Sequence, residues 1–162
     1  MKRNKRGLIA ASVALIILAA SLCFMEYKKY QHVQLLVLTN VSKSMFLIQA
    51  RAPDGTDFSI SYIHSVNKSP ITEYYEIIEG EIYLKAIRFE SFGAGVETEL
   101  SDGQNLIVHD EYMMITGIDR HIPVLFIYIG RSEGQIFEIY GIESILNNFG
   151  NPGELLSFQI KN

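Results

Sequence analysis

From Val33 onward, apolar positions fall in short runs rich in β-branched and aromatic residues. Turn-forming residues interrupt them about every eight to twelve positions. The runs are Val33–Thr39, Met45–Ala50, Asp57–His64, Ile71–Ile78, Glu81–Glu90, Asn105–His109, Tyr112–Ile115, Pro123–Ile129, Gln135–Tyr140 and Leu155–Ile160. The breaks between them carry Pro53-Asp54-Gly55, Glu79-Gly80, Gly93 to Gly95 and Asp102-Gly103, among others. Regular short strands of this kind predict an all-β domain over residues 33–162, an antiparallel β-sandwich or a small β-barrel. Residues 143–148 have room for one helical turn, and no internal repeat is visible.

The beginning of the chain follows another pattern. Gly7 to Met25 is apolar and uncharged over 19 residues, directly after Lys2, Arg3, Lys5 and Arg6. As a helix it would rise about 28 Å, close to the hydrocarbon thickness of a bilayer. The positive-inside rule would keep residues 1–6 in the cytoplasm and send everything after Met25 outward. Residues 26–32 read as a polar spacer. A cleaved signal peptide is the competing reading, with Ala19-Ala20-Ser21 as a passable cleavage site. Lipid attachment at Cys23 would want a small residue before it, where the chain has Leu22. An uncleaved transmembrane helix is the favoured reading. It predicts a single-pass protein of the cell membrane whose C-terminal domain lies outside the cytoplasm.

Composition sharpens this picture. The 162 residues carry a net charge of −4, but every acidic residue lies at Glu26 or later. From Glu26 on there are ten basic and eighteen acidic residues, a net −8, which argues against a nucleic-acid partner. Cys23 is the sole cysteine, so the exported part has neither an internal disulfide nor a thiolate metal site. His109-Asp110-Glu111, with Asp119 and His121 beyond, lacks the spacing of a zinc or calcium site and reads as a solvated turn. No metal or other cofactor is expected.

The middle of the chain supports a register argument. With Lys68-Ser69 as a two-residue hairpin turn, Ile60 meets Ile77, Tyr62 meets Tyr75 and His64 meets Glu73. Strand alternation then puts Phe58, Ile60, Tyr62 and His64 on one face with Glu73, Tyr75 and Ile77. A turn at Glu79-Gly80 would pair Ile77 with Ile82 and Tyr75 with Leu84, with Arg88 further along that face. An apolar face would therefore end in a His64–Glu73 pair. That pair is either a buried structural contact or, with Arg88, a site for a polar molecule or carboxylate. Ser65 follows His64 directly, so alternation turns it to the opposite face, away from the base a serine nucleophile needs. The glycines of Ser91-Phe92-Gly93-Ala94-Gly95 suit a β-bulge or tight crossover, or a backbone-amide anion nest beside the His64 end.

The stretch from Phe58 through His64-Ser65-Val66, Pro70 and Glu73, then Arg88-Phe89 and Phe92-Gly93-Ala94-Gly95, resembles the bacterial and archaeal domain of unknown function 1850 family. Where members continue with Leu-Pro, this chain has Val96-Glu97. The resemblance implies an extracytoplasmic β-rich domain tethered by one N-terminal helix. It also implies association with permeases of TAXI-type tripartite ATP-independent periplasmic (TRAP) transporters. Carried over from it are His64, Ser65, Pro70, Glu73, Gly93 and Gly95. The expected function is a membrane-anchored accessory or ligand-binding module for such a transporter, acting on a small, anionic solute and without catalytic activity. Its candidate ligand-binding residues are His64, Ser65, Glu73, Arg88, Gly93 and Gly95. The alternatives are an envelope interaction domain with no small-molecule site and an extracytoplasmic hydrolase.

Overall fold

The computed structural model describes residues 12–24, 33–65, 68–90, 100–131 and 134–161. The chain divides into two units, Met1–Val33 and Gln34–Asn162. In the first, residues 12–24 are α-helical. The remainder of the 7–25 segment lies outside the described residues. No helix among the described residues is long and apolar enough to cross a membrane.

The second unit is built from strands. They are β1 (Leu35–Asn40), β2 (Met45–Arg51), β3 (Asp57–Ile63), β4 (Pro70–Ile78), β5 (Glu81–Phe89), β6 (Asn105–Val108), β7 (Met113–Ile122), β8 (Leu125–Tyr128), β9 (Ile136–Ile139), β10 (Ile142–Ile145) and β11 (Leu155–Lys161). A four-stranded sheet runs β2-β1-β11-β8 and a seven-stranded sheet runs β10-β9-β3-β4-β5-β7-β6. Their strand pairs are antiparallel. Both sheets have open edges, so the fold is a sandwich and not a closed barrel. One 3-10 turn, Leu146–Phe149, follows β10, later than the turn expected at 143–148.

The core lies between the inner faces. Leu36, Leu38, Leu156 and Phe158 of the smaller sheet meet Phe58, Ile60, Ile77, Ile82, Leu84 and Phe137 of the larger one. Aromatic rings fill its centre: Phe58 stacks on Tyr75 at 4.9 Å between centroids, and Phe137 meets Phe158 at 5.1 Å. Truncating one of these rings to Ala would cost about 3–5 kcal/mol through lost transfer energy and an unfilled cavity.

Register decides which side chains meet. The β4–β5 hairpin has the expected Glu79-Gly80 turn, with Ile77 opposite Ile82 and Tyr75 opposite Leu84. Its central residues have φ of 52° and 74°, the positive values of a type I′ turn. The β3–β4 hairpin departs from expectation. Ile60 faces Glu73 and Tyr62 faces Ile71, so partners on β4 lie four positions from those a Lys68-Ser69 turn would give. The connection is longer: the His64 N–H donates to the Ser69 carbonyl at 2.9 Å, and the Lys68 N–H to the His64 carbonyl at 3.0 Å. An even shift keeps the alternation, so the predicted face survives while the predicted pairs do not.

Two irregularities converge on Lys85. It is skipped between Leu84 and Ala86 in the pairing with β4, and it stands against residues 117–119 in the pairing with β7. Gly117 and Asp119 have φ of 73° and 48°. These turn-like positions lie inside β7, which continues to Ile122 beyond the Tyr112–Ile115 run read from the sequence. A β-carbon on Gly117 would collide with the Gly103 carbonyl oxygen.

A polar knot closes the end of the smaller sheet. Asn40, 0% exposed, donates through Nδ2 to the Phe149 carbonyl at 3.1 Å and to Glu154 Oε2 at 2.7 Å. Glu154 Oε1 receives Lys43 Nζ at 2.9 Å and Asn151 Nδ2 at 3.0 Å. The Asn40 hydrogen bond, then that of Lys43, holds the Glu154 carboxyl well below the usual range, at about 2.

Two predictions follow from this geometry. Gly117→Ala adds a backbone clash to the strain of a positive φ, whereas Gly55, at φ +82°, has open space around it. Gly117→Ala should therefore lose roughly 2 kcal/mol or more and Gly55→Ala about 1; equal midpoints in thermal melts would contradict the close approach. Because folding lowers the Glu154 pKa, its stabilisation is complete above the unfolded value of 4.5 and is lost as pH falls through about 2. Glu154→Gln should flatten the acid limb of the stability curve in that window, as followed by circular dichroism.

Candidate functional site

Alternation along β3 and β4 carries an ionisable residue to the inner face of the larger sheet. Glu73 sits opposite Ile60 on one side and Ile87 on the other. A carboxylate among isoleucines would be costly without partners. Two phenols supply them: Tyr62 Oη donates to Glu73 Oε1 at 3.2 Å and Tyr75 Oη to Oε2 at 2.6 Å. Tyr75 is 2% exposed and its ring is fixed by the stack on Phe58. Burial, then the Glu73 charge and the hydrogen bond to it, push both phenols above the ordinary tyrosine range. Both therefore remain O–H donors at physiological pH.

The Lys85 bulge brings a cation to the same place. Across the inner face, Tyr75 is level with Leu84, and Leu84 with Arg120. Arg120, Tyr62, Glu73 and Tyr75 line a cleft of ≈ 370 Å³, whose opposite wall is Leu125 to Tyr128 on β8. Gln135 completes it, held by its own bonds to the Gly130 N–H at 2.7 Å and the Tyr128 carbonyl at 3.0 Å. The cleft thus presents an immobilised carboxylate, an arginine and aromatic walls. That set can orient a small molecule through one acidic and one basic group.

The structure separates the residues expected to form the site. Glu73 lines the cleft, but His64 lies four strand positions beyond the residue that faces it, about 13 Å along the sheet. The expected His64–Glu73 pair is corrected accordingly. Half-buried His64 and exposed Ser65 belong to the β3–β4 connection. Arg88 is also corrected: the skipped Lys85 inverts alternation along β5, so Ile87 and Phe89 turn inward while Arg88 turns outward, its guanidinium 4.1 Å from the Tyr112 ring centre. Gly93 and Gly95 lie outside the described residues. Tyr62 and Tyr75 were on the predicted face without an assigned role. Arg120 was missed, and no local sequence signal marks it as inward-facing.

These features define a two-sheet antiparallel sandwich with a polar cluster set into the inner face of its larger sheet. The chain belongs to the family described as Domain of unknown function (DUF1850), whose family model matches residues 58–143. The matched span includes the cleft residues from Tyr62 to Gln135. No curated protein and no solved structure matches the chain.

The two phenol–carboxylate bonds give a direct prediction. Tyr75→Phe should cost about 1.5–3 kcal/mol, the value of a hydrogen bond to a charged group, and Tyr62→Phe less, given its longer bond. A phenol whose folded pKa is raised stabilises the protein below the unfolded value of about 10 and loses that contribution as pH rises beyond it. Tyr75→Phe should therefore weaken the alkaline fall in stability. An unchanged alkaline limb would contradict the cluster.

Proposed function

We propose that this protein is a membrane-anchored extracytoplasmic binding module for a small carboxylate-bearing solute, working beside a secondary transporter of the TRAP type. The observation that carries the proposal is the convergence of Glu73, its two phenol donors and Arg120 on one open cleft. Arg120 is suited to a solute carboxylate, with its planar fork of donors. Glu73 is suited to an amine or hydroxyl on the same solute, so an α-amino acid uses both charges. The Tyr62 and Tyr75 hydroxyls spread the charge of Glu73 and keep it from repelling the bound acid outright. The uncharged run from Gly7 to Met25 behind four basic residues supports an N-terminal anchor with the β domain outside. The transporter association rests on the sequence resemblance alone.

Melting the full-length protein against succinate, citrate and a set of amino acids tests this reading. At least one compound should raise the midpoint, and Arg120→Gln should remove that gain without lowering the unliganded midpoint by more than a few degrees. If no compound stabilises the parent, or if Arg120→Gln responds like the parent, the cleft is not the binding site. An interaction domain, with Glu73 serving only the fold, would then replace this reading.

A further inference from the structure

The opposite face of the larger sheet carries a second, larger cleft, of ≈ 760 Å³, lined by Asp57, Ser59, Tyr74, Lys85, Glu138 and Tyr140 among others. Register makes its floor a small grid. Ser59 faces Glu138 on β9 and Tyr74 on β4, while Asp57 faces Glu76 on β4 and is level with Tyr140, one residue past β9. Neighbouring positions in such a grid lie about 5 Å apart across strands and about 7 Å apart along them.

Two features of this grid are unresolved within the protein. Asp57 and Glu76 stand directly opposite each other, a like-charge pair that destabilises a sheet. Glu76 has Lys85 at 3.6 Å, which is shared with Asp119. Asp57 and Glu138 have no cationic partner among the described residues. Ser59 is only 8% exposed and lines the cleft, yet its hydroxyl takes no side-chain partner among the described residues. The neighbouring Ser61 and Thr72 hydroxyls satisfy each other at 2.9 Å. The Ser59 hydroxyl, without a partner among the described residues, opens onto the cleft beside two exposed carboxylates that have no cation, a set of acceptors suited to a positively charged donor.

We propose that this outer cleft binds a primary alkylammonium. Its N–H groups are received by Ser59 Oγ and the carboxylates of Asp57 and Glu138, and its aliphatic body lies against the Tyr74 and Tyr140 rings. Tyr140 is held ready by its own hydrogen bond to the Arg51 carbonyl at 2.5 Å. The aromatic walls favour an organic cation, and no three ligating side chains among the described residues converge as a metal ion requires. The unit as a whole favours cations: from Gln34 on, its sequence has eight basic and seventeen acidic residues. This site is separate from the Glu73 cleft, on the other side of the sheet, and does not rest on the function proposed for that cleft.

The test is calorimetric titration of the full-length protein at low salt with cadaverine, using pentane-1,5-diol and glutarate as neutral and anionic counterparts. Cadaverine should bind while the diol and glutarate do not. Asp57→Asn and Glu138→Gln should each weaken binding by roughly fivefold to tenfold. Asp57→Asn should also raise the unliganded thermal midpoint, because it removes the facing like charge, so lost binding cannot be attributed to misfolding. Failure of cadaverine to bind the parent, equal binding by both variants, or equal binding of the diol would each overturn the proposal.

Discussion

Lys85 sets the arrangement of the larger sheet. It is one residue too many for β4 and stands against three residues of β7. A bulge of this kind adds local twist and re-aims the side chains that follow it. Here it turns Ile87 and Phe89 inward, turns Arg88 outward and sets Arg120 beside Leu84 on the inner face. The lysine is tied in place by Asp119 and Glu76, and those partners raise its pKa, the hydrogen bond to Asp119 foremost. Charge on this partly exposed ammonium contributes modestly to stability. Its larger effect is geometric.

The inner cluster and the outer grid are two consequences of the same strand alternation. Odd-numbered residues of β4 bring Glu73 and Tyr75 to the inside, and even-numbered ones bring Tyr74 and Glu76 to the outside. Inside, the carboxylate meets two phenols and an arginine beside an apolar core. Removing one phenol leaves a charged oxygen short of a donor, which costs more than the bond itself contributes net. Outside, Asp57 is exposed to water and Glu76 partly so, and the two carboxylates can face one another at modest cost. The Asn40–Glu154 knot plays a different part, joining the ends of β1 and β11 to the turn after β10.

Much of the fold was legible in the sequence because most strands obey a simple period of two between recognisable turns. Ten strand positions, the all-β class and the Glu79-Gly80 hairpin follow from that rule, while the choice of sandwich over barrel does not. β10 escaped because Tyr140-Gly141 does not announce a hairpin, although both residues have positive φ, 56° and 73°. The second half of β7 escaped because Gly117 and Asp119 read as punctuation. The face carrying Tyr62, Glu73 and Tyr75 was legible, since a register error of even size leaves alternation intact. Partners were not. The length of the His64 connection is set by backbone bonds that no residue type advertises, and the position of Arg120 depends on a bulge two strands away.

The most direct test of this account is a double-mutant cycle on Glu73. Glu73→Gln should couple to Tyr75→Phe by about 1–3 kcal/mol in unfolding free energy, since the two groups share one short hydrogen bond. Combined with His64→Ala it should be additive to within about 0.5 kcal/mol, as expected for side chains more than about 10 Å apart. Coupling to His64 with additivity at Tyr75 would contradict the observed register and return the carboxylate to the end of the sheet.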